Sequence, residues 1–506
     1  MHAAVLRQPI SLLAFLALGC GIAFSAHNPG EKPSTADRPA TLVTLDVVVT
    51  GPQGEPIPDL DASEIHVFED KKEQKILYFH PRQRGLPQHA LLGPNEFSNR
   101  SKLRVPPPTV VLLDLLNEWL LTGTGGGTEI GQALQRVEPS ERLSLYLLTR
   151  HNDLYPVHTL QKAEDDVAES RPPWTRMAPS MLDAAMNSVL SLRDASFITA
   201  DLRFDATIQS LRTLAARMAA VPGHKNLIWV THGVPLQLVD ASGEDFDLSP
   251  TIKNLAAELV RSRITVYAVA QSAQGAASGF DVSADMLRLI SSWTGGREFG
   301  SDYVEKAIND SIRDARGAYT LAYERVTQKR PPQYHKLQVS CKRKGAHVLC
   351  RQGDLDTADR PLTDQETLAV IGSAAQARLD SADIGVKVQI SSPDPSSHAV
   401  HVTIHVDPRD VLLRQGADGR FHGQLALVVA GYEDDGLKEL SQPEQWKLTL
   451  DAKEYQNGAR DDVGLERDIT PNQSIQKIRC IVMDRELNAA GSITVPLPGR
   501  SQGSGR

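Results

Sequence analysis

The chain has 506 residues, a net charge of -8, and 41% hydrophobic and 23% charged residues. This length exceeds one ordinary domain and predicts roughly three, and the composition is that of a globular protein. The acidic balance argues against a nucleic-acid partner, because a nucleic-acid surface normally shows a basic face.

The start of the chain has the pattern of a secretory signal peptide. Residues 1–9 carry Arg7 and no acid, and residues 10–24 are almost entirely apolar or small. Small residues precede the expected cleavage after Ser25, which makes Ala26 the first residue of the mature chain. The sequence therefore predicts an exported protein, located in the periplasm, the cell envelope or the extracellular space.

Lipoprotein processing at Cys20 is an alternative start. Leu18 and Gly19 before this cysteine resemble the end of a lipobox, although Ala17 stands where that motif prefers leucine. No later stretch reaches the apolar length of about 18 residues that a membrane span needs. A membrane is therefore expected as a partner only if Cys20 carries a lipid anchor.

A linker over residues 26–40 leads into a small β module predicted for residues 41–105. Its first strand is the alternating, β-branched TLVTLDVVVT at 41–50. Two further strand patterns follow at 65–70 and 75–82, separated by a turn. Signal peptide, linker and β module thus precede the main body of the chain.

Strand and helix patterns alternate from residue 106 to residue 326. The run VVLLD at 110–114 is apolar up to Asp114, as in a parallel strand buried on both faces. Repeated β–α units predict a doubly wound, mainly parallel sheet with helices on both faces. The predicted fold class is therefore α/β, with flanking all-β modules and a C-terminal β-sandwich.

The remainder of the chain is predicted to be mostly β-structure. A β-hairpin extension is expected at 327–353 and a linker at 354–382. Six strand patterns separated by Asp, Gly and Pro turns predict a β-sandwich at 383–498. Residues 499–506 form a tail.

Two cysteines flank the centre of the predicted hairpin extension. Cys341 and Cys350 would face each other across two short strands, and an exported protein meets an oxidising compartment. A Cys341–Cys350 disulfide is the expectation, and two free thiols are the alternative. Cys480 is expected to be unpaired and buried in a strand.

Four stretches together resemble a known family of bacterial exported proteins, the VWFA-related domain family. They are LDVVVTGPQGEPIPDLDASEIHVFEDKKEQKI, VVLLDLLN, AVPGHKNLIWVTHGVP and, at the tail, IQKIRCIVMDRELNAAGSITVPL. The resemblance covers most of residues 41–355 and, more loosely, 383–498. It implies a von Willebrand factor A-like fold that serves as a protein-binding module.

Von Willebrand A domains often carry a metal-ion-dependent adhesion site with the motif D-x-S-x-S. Asp114 matches the first aspartate of this motif, but Leu116 and Glu118 stand at the serine positions and only Asn117 is polar between them. Hydroxyl and carboxylate oxygens are the ligands that Mg²⁺ prefers. The motif is therefore degenerate at two of its three ligand positions.

The later ligands of that site are also altered. The threonine of the motif would come from near Thr207, and the turn after a later strand reads Thr231-His232-Gly233, with histidine in place of aspartate. A neutral imidazole is a poor Mg²⁺ ligand. No cofactor is therefore expected, and Mg²⁺ or another divalent cation is the open alternative. The residual ligand candidates are Asp114, Asn117, Thr207 and Thr231, and the expected rim of the site is Asp114, Asn117, Glu118, Thr231 and His232.

Enzymatic activity is not expected. His232 with Asp114 and Thr231 offers an alternative acid–base arrangement, but the sequence contains no recognisable nucleophile, phosphate-binding or metalloprotease motif.

The leading hypothesis is an exported, non-enzymatic binding or adhesion-type protein with an unidentified protein partner. The loops after Asp114, Thr149, Thr231 and Ala270 would form its contact surface. One alternative is a structural component of an envelope assembly, in which the β modules carry the contacts. The other is a metal-dependent adhesion module.

Overall fold

The structure is a computed structural model, and the features that the sequence predicts at Cys20, Ser25, Ala26 and Glu118 lie outside the residues it describes. The described residues from Ala40 onward belong to one compact unit. They are 40–82, 92–100, 105–117, 126–137, 141–190, 200–234, 236–239, 245–270, 284–300, 303–326, 332–356, 360–394, 396, 399–434, 436–457 and 463–499.

The helices and strands of these residues are numbered in chain order. The helices are α1 (Gly126–Gln135), α2 (Leu160–Ala168), α3 (Ala178–Leu190), α4 (Ala200–Ala219), α5 (Ser249–Arg261), α6 (Ala284–Thr294), α7 (Val304–Gly317), α8 (Asp364–Gln376) and α9 (Ala452–Asn457). The strands are β1 (Ala40–Thr50), β2 (Ile65–Glu69), β3 (Lys72–Gln74), β4 (Ile76–Pro81), β5 (Glu96–Ser98), β6 (Thr109–Asp114), β7 (Leu143–Leu148), β8 (Leu154–His158), β9 (Lys225–Thr231), β10 (Gln237–Val239), β11 (Asp245–Asp247), β12 (Ile264–Ala270), β13 (Glu298–Phe299), β14 (Ala318–Val326), β15 (Tyr334–Cys341), β16 (His347–Leu349), β17 (Gly353–Leu355), β18 (Val386–Ile390), β19 (Val400–Val406), β20 (Arg414–Gln415), β21 (Phe421–Glu433), β22 (Gly436–Leu440), β23 (Glu444–Leu450), β24 (Val463–Ile469), β25 (Lys477–Asp484) and β26 (Ala489–Pro496).

A six-stranded mixed sheet positions Asp114. Its strand order is β13-β12-β9-β6-β7-β8. On β6, Val110 and Leu112 pack against helices α4, α5 and α6, whereas Val111 and Leu113 pack against α1, α3 and α7. Helices therefore cover both faces of this sheet, which is why β6 is an unbroken apolar run rather than an alternating one.

In sequence, the strands of antiparallel sheets come before and after the strands of this mixed sheet. Near the N-terminus the strand orders are β16-β1-β14-β4 and β17-β15-β2-β3, and near the C-terminus β24-β19-β18-β5 faces a larger sheet built on β21, β25 and β26. The two C-terminal sheets share one apolar core, to which Val388 and Ile404 contribute from one sheet and Leu427 and Val482 from the other. Helix α8 packs on the opposite side of the larger sheet.

The prediction of an α/β, doubly wound and mainly parallel fold class is wrong for this chain. Strands account for 40% of the structure and helices for 30%, in several antiparallel sheets and one mixed sheet. Among the described strands, parallel pairing occurs only at β6–β7, β6–β9, β9–β12 and β12–β13. The physical reason is that periodicity identifies a strand but not its partner. The last strand predicted for the parallel sheet, β14, instead pairs antiparallel with β1 and β4.

The predicted Cys341–Cys350 disulfide is absent, and both residues are free thiols, as is Cys480. The prediction assumed a hairpin, but β15 pairs with β2 and β17, whereas β16 pairs with β1. Cys341 is therefore the last residue of a strand in one sheet, and Cys350 follows a strand of another sheet. Burial raises the pKa of the Cys350 thiol to about 12 and does the same for Cys480, as expected for inert thiols.

None of the helices within the described ranges is both long enough and apolar enough to cross a membrane.

Candidate functional site

Asp114 ends strand β6 and is fully buried, with an exposed fraction of 0%. Its Oδ1 atom accepts a hydrogen bond from the backbone N–H of Asn117 at 3.0 Å. Its Oδ2 atom accepts from Asn117 Nδ2 at 2.8 Å, Trp229 Nε1 at 3.2 Å and Thr231 Oγ1 at 2.7 Å. Burial raises the pKa of Asp114, and these hydrogen bonds oppose that shift.

The strand register explains why these groups meet. Strands β6 and β9 are parallel neighbours, and Leu113 lies opposite Val230, so Asp114 and Thr231 come at adjacent strand ends. Side chains alternate between the two faces of a strand. Trp229 and Thr231 therefore share a face, and it is the face that helix α4 covers.

Helix α4 contributes the last member of this group. Asn117 Nδ2 also donates to Thr207 Oγ1 at 2.8 Å, and Thr207 Oγ1 donates to the carbonyl of Arg203 at 2.7 Å. All four residual ligand candidates predicted from the sequence are thus brought together. We call Asp114, Asn117, Thr207, Trp229 and Thr231 the Asp114 network.

The turn after β9 closes the network on one side. The backbone N–H of Gly233 donates to Thr231 Oγ1 at 2.9 Å, and Gly233 has a φ of +79°, which favours glycine. His232 lies between them and is half-buried. Leu116 packs into the apolar core below instead of offering an oxygen, and Glu118 is not among the described residues.

The donors around Asp114 do not suit a divalent cation. The amide nitrogen of Asn117 lies 2.8 Å from both Asp114 Oδ2 and Thr207 Oγ1 and places N–H groups between two candidate ligand oxygens. The indole of Trp229 can only donate. A cation bound to Oδ2 would leave the N–H groups of Asn117 and Trp229 buried without this acceptor, which costs free energy.

Trp229 is the member of the network that the sequence did not reveal as a site residue. In the sequence it is one residue of the apolar run NLIWV at 226–230. Its spacing is the signal that was overlooked, because a residue two positions before Thr231 must share the face of Thr231 and Asp114.

A second polar cluster joins the N-terminal sheets. Ligand atoms of Glu69, Asp70 and His335 lie within 4.8 Å of one another. Arg325 Nε donates to Glu69 Oε1 at 2.8 Å, and the Tyr323 hydroxyl donates to Glu69 Oε2 at 2.5 Å. The arginine therefore already supplies the positive charge at this cluster.

His335 lies between two carboxylates, and each of its ring nitrogens contacts one of them. Nδ1 lies 2.8 Å from Asp70 Oδ2 and Nε2 lies 2.7 Å from Asp356 Oδ1. Burial opposes the charged imidazole, but the pKa of His335 is raised overall through the bond to Asp70 and nearby carboxylates. The cluster is an ion-pair network that ties β2, β14 and β15 together.

The segment PGHKN at 222–226 lies at the start of β9, at the opposite end of this strand from Thr231. His224 Nδ1 is 3.1 Å from Asp46 Oδ2 of β1, and burial lowers the pKa of His224 to about 4. Lys225 is 2% exposed and donates through Nζ to the carbonyl of Val221 at 2.8 Å. Burial lowers the pKa of Lys225 to about 7. This part of the AVPGHKNLIWVTHGVP stretch thus supplies a buried polar junction.

Lys225 makes a testable contribution to the pH dependence of stability. Its folded-state pKa lies below the unfolded value of 10.5, so between about pH 7 and pH 10 the unfolded chain binds the additional proton and stability rises with pH. Relative to Lys225→Met, the unaltered protein should gain about 2–4 kcal/mol over that window. Urea unfolding at both pH values measures this. The control Lys75→Met changes an exposed lysine and keeps Lys225, so its stability should rise with pH as much as that of the unaltered protein. An equal pH slope in Lys225→Met would contradict the prediction.

Comparisons with known proteins add little to this geometry. No protein-family model matches the chain, and no curated protein matches it. Among solved structures, the pilus adhesin SpaC from Lactobacillus rhamnosus GG is similar at 13% identity and a TM-score of 0.26, covering 78% of this chain and 57% of that chain. The chain thus spans little more than half of the adhesin, and a likeness at this TM-score carries no argument. Membership of the VWFA-related family stays a prediction.

Proposed function

We propose that this chain is an exported, non-enzymatic protein that binds another protein without the help of a metal ion. The Asp114 network is the observation that supports this function best. An ionised carboxylate has about four lone-pair sites, and Asp114 accepts from the backbone and amide of Asn117, the indole of Trp229 and the hydroxyl of Thr231. Three of these four bonds fall on Oδ2, so this oxygen has no lone pair left for a cation or an imidazole.

The same donors argue against an acid–base role for Asp114. A carboxylate that orients a catalytic histidine must accept from the imidazole N–H. In this protein the carboxylate stabilises the ends of β6 and β9 and the loop up to Asn117. We therefore assign Asp114 to the scaffold and the function to the protein surface.

A cleft supplies a contact surface in the described part of the chain. It has a volume of about 1090 Å³ and lies between the loop 56–61 and helix α7. Asp59 and Asp61 lie on the loop wall, and the opposite wall carries Arg313 and Arg316 of α7 and Arg136, which follows α1. Glu141 also lines the cleft and pairs with Arg316, so Arg136 and Arg313 are the cleft arginines that Glu141 does not hold. Acidic and basic groups on opposite walls fit an extended polar segment of a partner, because they fix its orientation as well as its position.

Capture of a partner from envelope extract by chemical crosslinking tests this function. The cleft variant Arg136→Gln/Arg313→Gln removes two partly exposed charges, 65% and 42% exposed. The control is Arg288→Gln, which is 64% exposed and outside the cleft lining. We expect the same partner with EDTA and with Mg²⁺, a severalfold loss in the cleft variant and no loss in the control.

Two results would contradict the proposal. Absence of any partner under every ionic condition would exclude a binding function. Recovery of a partner only with a divalent cation, together with a rise in melting temperature that Asp114→Asn removes, would instead establish a metal-dependent adhesion module.

A further inference from the structure

The cluster around His335 contains more carboxylates than guanidinium groups. The carboxylates that meet here are those of Glu69, Asp70, Asp354 and Asp356. The guanidinium groups that pair with them belong to Arg325 and Arg351. Arg325 is shared by three of the carboxylates, and Arg351 pairs with one. With a neutral His335, the four carboxylates therefore exceed their guanidinium partners by two negative charges, which favours a further cation.

The imidazole of His335 shows where this cation fits. Each ring nitrogen faces a carboxylate oxygen, Nδ1 that of Asp70 at 2.8 Å and Nε2 that of Asp356 at 2.7 Å. A neutral imidazole carries only one N–H, so one of these contacts would bring two lone pairs together. Glu69 Oε1, at 3.4 Å from Nδ1, adds a third electron-rich atom on that side. A positive charge between Nδ1 and the two oxygens removes the repulsion.

We propose that Glu69, Asp70 and His335 bind a divalent transition-metal ion of the zinc type. Zinc accepts imidazole nitrogen and carboxylate oxygen together, whereas Mg²⁺ prefers oxygen ligands. Two ligands held at about 2.0–2.1 Å by a tetrahedral zinc ion lie roughly 3.3 Å apart, and Nδ1 lies 3.4 Å from Glu69 Oε1. The 2.8 Å contact with Asp70 is shorter, and rotation of that side chain, which is 53% exposed, widens it.

Asp356 holds the imidazole in the orientation that a metal ligand needs. Its carboxylate accepts from Nε2 of His335 and also accepts the backbone N–H of Gln333 at 3.2 Å. A histidine that binds a metal through one nitrogen commonly donates its other N–H to a carboxylate, which fixes the tautomer. Nδ1 is therefore the nitrogen that faces the metal.

The two carboxylate ligands keep an oxygen lone pair for the metal. The backbone N–H of Lys336 donates to Oδ1 of Asp70 at 2.9 Å, and Oδ2 is the atom beside the imidazole. On Glu69, Arg325 Nε donates to Oε1 at 2.8 Å, which uses one of the two lone pairs of that oxygen. The exposure of Asp70 leaves the fourth position to water, as in zinc sites with three protein ligands.

This site goes beyond the proposed function, since its ligands belong neither to the Asp114 network nor to the lining of the 56–61 cleft. Calorimetric titration of the full chain with zinc chloride, after treatment with EDTA and dialysis, tests it, and magnesium chloride is the comparison. The test variants are Asp70→Asn and His335→Gln. Asp70 has a φ of +47°, a conformation that asparagine tolerates, so the first variant should fold normally.

Asp468→Asn is the matched control. Asp468 also lies 2.8 Å from the Nδ1 atom of a histidine, His401. Unlike Asp70, it belongs to no close group of three ligand atoms in the described part of the chain.

We expect zinc to bind in a 1:1 ratio and to raise the melting temperature more than magnesium does. Each test variant should bind zinc at least about tenfold more weakly, because even the outer partners of a metal ligand contribute about 10–100-fold to affinity. Asp468→Asn and Asp114→Asn should bind zinc like the unaltered protein. Absence of zinc binding would overturn the proposal and assign the counter-charge to a second proton on His335. Undiminished binding in both test variants would also overturn it, since the metal would then lie elsewhere.

Discussion

Replacing Asp114 by alanine is expected to lower the free energy of unfolding by about 3–5 kcal/mol. The change would leave the indole of Trp229, the hydroxyl of Thr231 and the amide of Asn117 without their shared acceptor. Each buried donor that loses its partner costs about 1–3 kcal/mol. Alanine also removes the free-energy cost of burying the carboxylate, which the raised pKa of Asp114 reflects. The expected loss is therefore smaller than the sum of the penalties for the three unpaired donors.

Urea unfolding at neutral pH measures the effect, and Asp183→Ala is the matched control. Asp183 is exposed on α3, so its replacement should change stability by no more than about 0.5 kcal/mol. A structural role and a metal-binding role of Asp114 predict different losses of stability in Asp114→Ala. A carboxylate kept for a metal would be expendable in the metal-free protein, so a loss below about 1 kcal/mol would argue against the structural role.

The sequence was sufficient to place Asp114 and its oxygen-bearing neighbours. An apolar run that ends in a carboxylate identifies a strand end, and parallel neighbours bring Thr231 to the same end. Thr207 came into consideration through the resemblance, because the adhesion-site motif requires a threonine there. The donors that occupy the carboxylate could not be deduced as readily, because side-chain orientation at a loop such as 115–117 depends on tertiary packing.

The fold class could not be obtained in the same way, because strand pairing is not a local property. Strand β14 follows α7 directly and has the pattern of a further strand of the mixed sheet, yet it pairs with β1, more than 250 residues away in sequence. Residues 96–98, within a Pro- and Gly-rich stretch, form β5 and join a sheet near the C-terminus. Cys341 and Cys350 show the same limit, since proximity in sequence suggested a hairpin that the pairing of β15 and β16 excludes.

These long-range pairings explain where the polar groups of the chain are concentrated. Two buried polar contacts that involve a carboxylate lie where separate sheets meet, His224 with Asp46 and Arg325 with Glu69. Apolar packing alone is non-directional, whereas a charged hydrogen bond requires one geometry. We infer that these pairs fix how the sheets join, and Arg325 provides the clearest test.

Replacing Arg325 by methionine is expected to cost about 3–5 kcal/mol. The Arg325 side chain is 6% exposed and lies 2.8 Å from Glu69 Oε1 and 2.7 Å from Asp354 Oδ2. Methionine fills much of the volume but leaves these carboxylates, 8% and 2% exposed, without that positive charge. Arg351 still pairs with Asp354, so the charge that loses compensation is mainly that of Glu69, and loss of one partner from a buried ion pair is strongly destabilising.

The pH dependence and a control separate this mechanism from loss of packing. Without Arg325, the buried Glu69 and Asp354 carboxylates lose this positive partner. The penalty should then be full at neutral pH and shrink as pH falls, since protonation removes the buried charges. A packing defect would cost the same at each pH. Arg136→Met, with a side chain 65% exposed and paired with Glu305, should cost less than about 1 kcal/mol at every pH.

The double variant Glu69→Gln/Arg325→Met completes the test. Neutralising Glu69 removes one of the uncompensated charges, so the double variant should be more stable than the sum of the two single changes predicts. We expect a coupling energy of about 1–3 kcal/mol from the double-mutant cycle, measured by urea unfolding. Strict additivity would mean that Arg325 and Glu69 act independently, and that the junction of β2 and β14 depends on apolar packing rather than on this ion pair.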